Sequence, residues 1–120
     1  MEVEKKQFED TDATASEPAE CEYYYSGYNY RFFDTTNDLK ARVYDDEPGI
    51  AHLVSWQCAG KKMLPTSSLD SLPSDDAFFR AVLYHLTKKE NCIRVDVLTN
   101  KQPPYEPLGL DRFEIQAREN

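Results

Sequence analysis

The sequence lacks long apolar runs and has little glycine, and both shortages exclude classes of protein. No run reaches the roughly 20 apolar residues that a membrane-spanning helix needs, and the start MEVEKKQFED lacks the apolar core of a signal peptide. With 4 glycines in the chain, Gly60-Lys61-Lys62 has neither the upstream glycine nor the following Ser or Thr of a phosphate-binding loop. We therefore predict a cytoplasmic protein that is neither exported nor embedded in a membrane, and no nucleotide site.

Histidine and cysteine are scarce as well, which limits metal and nucleophilic chemistry. The chain has 2 histidines and 3 cysteines, and the cysteines form no C-x-x-C pair. A metal needs several suitably spaced ligands, and a nucleophile such as Cys58 needs an aligned base. Strand-like alternation places His52 on the same face as Trp56, and helical spacing places His85 beside an apolar stripe. We predict no catalytic residue, no metal and no cofactor, and expect that the protein is not an enzyme.

Negative charge is in excess and is concentrated at the N-terminus. The formal net charge is −8. Residues 1–22 hold 8 acids and 2 lysines, whereas residues 23–120 hold 14 acids and 12 bases. An acidic chain repels phosphate backbones, and the sequence shows no locally basic segment that would overcome the repulsion. We predict no direct nucleic-acid binding and favour a basic protein as the partner.

Composition also divides the chain into two parts. Residues 1–22 consist mainly of acids, Thr, Ser, Ala and Pro, and the large apolar residues after Met1 are Val3 and Phe8. Ordering such a segment costs conformational entropy and buries little apolar surface in return. We therefore predict a disordered acidic tail over residues 1–22 and a single α+β domain over residues 23–120.

Hydrophobic periodicity predicts five strands and one helix. The predicted order is β-β-β-α-β-β, with strands at residues 23–33, 39–44, 50–57, 92–99 and 111–118 and the helix at residues 75–89. The last two strands each show one charged face, typical of strands solvated on one side. The proline-containing segments 58–73 and 100–110 are predicted to be connections, and Gly27 indicates a bulge or bend. We predict a two-layer α+β fold, a mostly antiparallel sheet of about five strands on one helix.

Tyrosine is abundant at the start of the predicted domain. Five of the eight residues from Tyr23 to Tyr30 are tyrosines. They cannot all enter one core, and tyrosine provides a large contact area at a small cost in side-chain entropy. The tyrosines that stay outside predict a binding face. The predicted partner-binding residues combine aromatic anchors with acids that speed encounter: Tyr24, Tyr28, Tyr30, Asp45, Asp46, Glu47 and Trp56.

These features favour a non-enzymatic protein-binding module. By analogy with immunity proteins, antitoxins and small phage-encoded inhibitors, the leading hypothesis is an acidic inhibitor that occludes a basic nucleic-acid-handling protein of the toxin or nuclease class. One alternative is a small-ligand-binding or enzymatic α+β domain with a pocket near His52 and His85. Another is a structural adaptor that self-associates through the aromatic strand as a sheet edge.

Overall fold

The structure, a computed structural model, describes residues 1–11 and 24–115, without the side chains of Asp10, Thr11 and Tyr24. This part of the chain contains seven strands and one α-helix. In chain order they are β1 (Glu2–Thr11), β2 (Tyr24–Phe33), β3 (Asn37–Tyr44), β4 (Ile50–Cys58), β5 (Lys61–Leu64), α1 (Ala77–Tyr84), β6 (Arg94–Leu98) and β7 (Tyr105–Pro107). Among the described helices, none has the length and apolar character needed to span a membrane.

The strands form one open, mixed sheet. Its order is β1-β2-β3-β4-β6-β7, and β5 pairs with β4 on the same edge as β6. β6 runs parallel to β4, whereas the other strand pairs are antiparallel. A parallel pair needs a long crossover, which β5 and α1 provide here. The α+β architecture is confirmed, but the predicted five strands and mostly antiparallel order are corrected to seven strands in a mixed sheet.

β1 corrects the prediction of a disordered tail over Glu2–Thr11. These residues pair with β2 along their whole length. The entropy argument counted apolar burial alone, whereas a paired strand also satisfies its backbone hydrogen-bonding groups. A side-chain contact adds to the pairing, because the Lys5 Nζ atom lies 4.5 Å from the centre of the Tyr28 ring. The remainder of the predicted tail, residues 12–22, lies outside the described residues.

The tyrosine-rich strand β2 lies inside the sheet, between β1 and β3. Tyr30 and Phe32 are buried and Tyr28 packs against the core, as the two-residue period of a strand requires. Because both edges of β2 are paired, this strand is not the free sheet edge that the self-association hypothesis requires. That hypothesis is therefore contradicted for the aromatic strand.

The strands predicted at residues 39–44 and 50–57 pair as a hairpin of β3 and β4, and a bulge changes which side chains of β4 face the core. The ladder between the two strands shifts register, and Val54 is the extra residue. The bulge interrupts the alternation, so that Leu53 and Trp56 are both fully buried although they lie three positions apart. His52 points to the opposite side of the sheet. The expectation that His52 and Trp56 share a face is wrong.

The predicted helix is confirmed in its apolar stripe and is shorter than expected. It starts at Ala77 because Asp76 is the N-cap and accepts a hydrogen bond from the backbone N–H of Phe79 at 2.8 Å. A π-helical turn, His85–Lys89, follows α1, and Asn91 then adopts a left-handed φ of 60°. The buried stripe consists of Phe78, Phe79, Val82, Leu83 and Leu86.

Two segments predicted to be connections contain short strands. Ala59 and Gly60 have φ angles of 51° and 79°, and a two-residue turn with positive φ at both positions matches the twist of the β4–β5 hairpin. In the proline-containing segment, β7 pairs with β6 at the edge of the sheet. Proline is tolerated in an edge strand, so the presence of Pro107 did not exclude a strand there.

The prediction of a last strand over residues 111–118 is wrong for the part that the structure describes. Leu110–Phe113 form a 3-10 helical turn. The Phe113 ring is fully buried and meets the Phe79 ring edge to face, with centres 5.3 Å apart. This contact with α1 overrides the strand-like alternation. Residues 116–118 lie outside the described residues.

β6 corrects the prediction of a strand with one solvated face. Val95, Asp96 and Val97 are all buried, with at most 5% of each residue exposed. A strand held between a parallel neighbour and an edge strand is typically covered on both sides. The buried Asp96 carboxylate is paired, since the Nε atom of Arg94 lies 3.0 Å from its Oδ1 atom. The charged alternation of the sequence therefore reports an ion pair between an exposed arginine and a buried aspartate.

The sheet has a covered and an uncovered face. α1 packs on the covered face, where the Trp56 and Phe79 rings are stacked with centres 4.7 Å apart. We call the other side the uncovered face, because no helix of the described part packs on it. The register places Lys6, Asn29 and Arg42 in one row across β1, β2 and β3 on this face.

Candidate binding surface on the uncovered face

Four rings form a continuous row on the uncovered face, which we call the aromatic ridge: Phe8, Tyr44, His52 and Tyr105. Successive ring centres lie 5.9, 5.6 and 5.1 Å apart, and each pair meets edge to face. Phe8 and Tyr44 come from β1 and β3 and meet directly because Gly27, their common neighbour on β2, has no side chain. All four residues are half-buried, so part of each ring reaches solvent.

His52 is the polar member of the aromatic ridge. Its Nε2 atom is buried and has no hydrogen-bond partner in the described structure. Burial also raises the pKa of the neighbouring Tyr105 hydroxyl above its ordinary value, with the nearby Tyr44 adding to the effect. His85 lies on the other side of the sheet, where its ring meets the buried Phe32 ring with centres 5.3 Å apart. The two histidines therefore do not share a pocket, which contradicts the alternative of a pocket near both.

An acidic turn borders the ridge beside Tyr44. Asp45, Asp46 and Glu47 follow β3 directly and are all exposed. The turn is held to β2, because the Ser26 hydroxyl lies 2.6 Å from Asp45 Oδ2 and donates to it. This hydrogen bond leaves the Asp46 and Glu47 carboxylates facing solvent. Three of the residues predicted to bind a partner are thus brought together next to the aromatic ridge.

The predicted aromatic anchors, in contrast, are mostly unavailable. Trp56 is 0% exposed and Tyr30 is 4% exposed, so neither ring reaches a partner and both assignments are corrected. Tyr28 is half-buried on the covered face under Lys5. The side chain of Tyr24 lies outside those that the structure describes. The tyrosine cluster thus builds mainly the core side of the sheet.

The ridge residues were missed in the sequence because they come from four different strands. Tyr44 ends the polar side of an alternating strand, after Lys40 and Arg42, and this position was a usable signal. Phe8 was assigned to a disordered tail, and Tyr105 to a proline-containing connection. No pattern within one segment shows that such residues become neighbours. The pairing of strands across the sheet, from β1 to β4 and through β6 to β7, brings their side chains together.

A second part of the uncovered face is basic, and we call it the basic groove. Its volume is about 520 Å³, and the side chains of this face that line it are Glu4, Lys6, Asn29, Arg31, Lys40, Arg42 and Val54. The groove adjoins the ridge, since the Arg42 guanidinium lies 4.2 Å from the centre of the Phe8 ring. The sequence indicated no locally basic surface, and the structure corrects that premise. Bases separated along the chain are assembled by strand pairing.

The bases of the groove differ in how far they are neutralised. Arg31 pairs with Asp38 through hydrogen bonds at 3.1 to 3.3 Å and lies over the Phe33 ring. Lys6 and Lys40 are exposed and have no ion pair with an acid in the described ranges, residues 1–11 and 24–115. Arg42 donates from Nε to Asn29 Oδ1 at 2.8 Å. Three of the cations therefore keep their charge available.

A third cluster lies on the covered face and ties β1 to the end of the helical segment. Glu90 Oε1 accepts a hydrogen bond from the Tyr30 hydroxyl at 2.6 Å and lies 2.7 Å from Lys5 Nζ. Burial by itself raises the pKa of Glu90, but the hydrogen bonds from Lys5 and Tyr30 outweigh burial and the pKa lies below its ordinary value. Burial, followed by the bond to Glu90, raises the pKa of Tyr30. Burial also raises the pKa of the Cys92 thiol, to about 11.

This cluster predicts how stability depends on pH. Burial lowers the pKa of His85, so both His85 and Glu90 bind protons less readily in the folded than in the unfolded chain. The free energy of unfolding should therefore fall below about pH 6.5 and further below about pH 4.5, the ordinary values of the two groups. Glu90→Gln should remove the loss of stability below about pH 4.5. Urea titrations at several pH values measure both losses of stability.

A matched control for this experiment is Glu9→Gln, which changes an exposed glutamate of the same β1 strand that carries Lys5. The control should keep the wild-type loss of stability below pH 4.5. If the stability of Glu90→Gln falls below pH 4.5 as steeply as that of the wild type, the Glu90 carboxylate does not contribute to the pH dependence. The pKa of Tyr30 is raised rather than lowered, so Tyr30 affects stability in the opposite pH direction. Its contribution to the free energy of unfolding is present below about pH 10 and is lost as the pH rises beyond that.

The uncovered face thus carries three adjoining parts, namely the acidic turn, the aromatic ridge and the basic groove. Within residues 1–11 and 24–115, no group of three or more His, Cys, Asp or Glu side chains is arranged to hold a metal ion. Comparison of the chain with known protein families, with curated proteins and with solved structures found no match.

Proposed function

We propose that this protein is a non-enzymatic binding module that occludes a basic protein partner. The observation that carries the proposal is the aromatic ridge beside the acidic turn on a sheet face without a helix. Rings held edge to face lose little rotamer freedom on binding, and interfaces are enriched in tyrosine for this reason. Lysine and arginine side chains of a partner are attracted both by the ring faces and by the carboxylates.

The partner class that we propose is a nucleic-acid-handling protein, such as a toxin or a nuclease. Proteins that bind phosphate backbones expose clustered lysine and arginine, which is the surface that an acidic module complements. The net charge of −8 attracts such a partner over about one Debye length, roughly 8 Å at physiological salt. Covering the partner's basic surface blocks access of nucleic acid. Inhibition of this kind requires no catalytic residue in the inhibitor.

The test compares a ridge variant with a matched surface variant. Immobilised wild-type protein is used to capture a basic protein from lysate, and Tyr44→Ala is then measured against it. Removing an interface tyrosine costs about 2 kcal/mol or more, which corresponds to a dissociation constant raised roughly 30-fold. Tyr84→Ala is the control, because Tyr84 is 54% exposed on α1, away from the ridge. The control should bind as tightly as the wild type.

The kinetics of the same complex separate anchoring from steering. Asp46→Asn combined with Glu47→Gln should slow association several-fold at low salt and change dissociation little. Asp70→Asn with Asp111→Asn removes the same charge from exposed positions elsewhere. A captured protein that is retained equally by Tyr44→Ala, or whose association rate is the same at low and physiological salt, would contradict the proposal. Loss of the partner's nucleic-acid activity at one equivalent of the wild type supports it.

A further inference from the structure

We infer that the basic groove is a binding site for the phosphate backbone of single-stranded nucleic acid. This site is separated from the acidic turn by the Phe8 and Tyr44 rings, and it does not depend on the protein partner proposed above. The observation that points to it is charge. An acidic protein has placed Lys6, Lys40 and Arg42 together in one groove, and none of them has an acid partner among the described residues.

The strand register fixes how the three charges are distributed. Lys6 and Arg42 are in the same row, with β2 between their strands, so their backbones are separated by about 10 Å at a strand spacing of about 4.8 Å. Lys40 is two positions from Arg42 on β3, which is about 7 Å. The cations therefore occupy a patch rather than a point. Such a patch suits successive phosphates of one chain better than a single compact anion.

Arg42 is held in position for this contact before any ligand arrives. Its guanidinium lies over the Phe8 ring at 4.2 Å, and its Nε atom donates to Asn29 Oδ1 at 2.8 Å. These contacts leave its two terminal nitrogens without a hydrogen-bond partner among the described residues. A planar guanidinium with free outer N–H groups can donate two parallel hydrogen bonds to a phosphate. Little side-chain entropy remains to be lost when it does so.

The open shape of the groove favours an extended chain over other polyanions. A duplex is read by an element that enters one of its grooves, and no helix of the described part projects from this face. Most of the side chains that line the groove are charged or amide, yet its exposed surface is mainly apolar. The bases of a flexible single strand can rest on apolar surface while the phosphates follow the cations. An acidic peptide is the competing occupant, and the polyglutamate chain in the test below distinguishes the two.

The net charge of the protein limits the strength of this interaction but does not abolish it. Repulsion from exposed acids elsewhere is screened beyond about 8 Å at physiological salt, whereas direct contacts in the groove are not. We expect dissociation constants of the order of 10⁻⁶ to 10⁻⁴ M, as for other backbone contacts without base recognition. The logarithm of the affinity should fall with the logarithm of salt concentration with a slope of about −2, or about −0.7 for each of three contacts.

The experiment is fluorescence anisotropy with a labelled oligothymidylate and the full chain at about 50 mM salt and above. Lys6→Gln combined with Lys40→Gln should weaken binding roughly tenfold or more and reduce the slope to about −0.7. Lys6→Arg with Lys40→Arg should retain the wild-type slope. The charge-matched control is Lys89→Gln with Lys101→Gln, since both residues are exposed and neither lines the groove. Circular dichroism confirms that each variant is folded.

Three results would overturn the inference. The first is no binding of the oligonucleotide by the wild type at low salt. The second is an equal loss of binding in the groove variant and in the charge-matched control. The third is equal or tighter binding of a DNA duplex or of a polyglutamate chain of the same charge. Because the probe contains no protein, failure here leaves the occlusion of a basic partner untouched, and failure to find that partner leaves this result standing.

Discussion

Replacing Trp56 with alanine is expected to lower the free energy of unfolding by about 3–5 kcal/mol. The ring is 0% exposed and stacks on Phe79 with centres 4.7 Å apart. Its Nε1–H also donates to Asn37 Oδ1 at 3.0 Å, so the variant leaves a buried acceptor without its donor. The cavity would lie where β4 meets α1, and it cannot close without moving the helix. The lost hydrogen bond joins β4 to β3. A domain with about 5–15 kcal/mol of stability would lose a large share of it.

Urea unfolding followed by far-ultraviolet circular dichroism measures this loss. Trp56→Phe is the milder companion, because it keeps a stacked ring and removes the hydrogen bond, and it should cost about 1–3 kcal/mol. The surface control Tyr84→Ala should change stability by about 0.5 kcal/mol or less. A loss below about 1 kcal/mol in Trp56→Ala would contradict the placement of the ring in the core. It would also return Trp56 to the list of possible partner contacts.

Gly27→Ala is expected to cost more than about 2 kcal/mol, an unusual effect for the addition of one methyl group. A Cβ atom on Gly27 would lie 2.0 Å from the carbonyl oxygen of Val43, which is backbone and cannot rotate away. The ladders to β1 and β3 pass Gly27 without a register shift, so this glycine marks a close approach of two strands rather than a bulge. Strands β2 and β3 must therefore separate locally in the variant.

Gly109→Ala is the matched control for this substitution. Nothing lies within 4 Å of a Cβ atom at Gly109, and its φ of −72° is open to any residue. Its change in stability should be close to zero or slightly favourable, because alanine reduces the freedom of the unfolded chain. Hydrogen exchange should also show faster exchange in β2 and β3 of Gly27→Ala. Equal stability of the two variants would show that β2 and β3 do not approach as closely as described.

The two proposals assign opposite charges to two sides of the Phe8 and Tyr44 rings, which explains how an acidic chain can carry a basic site. Asp45, Asp46 and Glu47 follow Tyr44, whereas Lys6 and Arg42 lie in the preceding row of side chains. A net charge sums over the chain and says nothing about how charges are grouped on a surface. From the sequence, we expected no nucleic-acid binding because the net charge is negative and no segment of the chain is locally basic. Strand pairing groups the charges, and this grouping motivates the oligonucleotide test.

Short-range patterns determined the elements that need no partner to be recognised. The apolar stripe of α1 and the individual strands β2, β3 and β4 were predicted correctly. In each case, a period of 3.6 or 2 over one segment is sufficient evidence. The α+β class followed from the same periods. These features are properties of the sequence by itself, because each is encoded within about ten to fifteen residues.

Tertiary structure alone decided which side of the sheet each residue faces and which residues meet. One extra residue, Val54, placed Trp56 in the core on the face opposite to His52, with which it was predicted to share a face, because the side-chain period of a strand is two. Pairing with β2 ordered Glu2–Thr11, which no local pattern predicts. The ridge and the groove each combine residues from at least three strands. Such surfaces depend on strand order and register, and these are set by long-range pairing that a single segment does not encode.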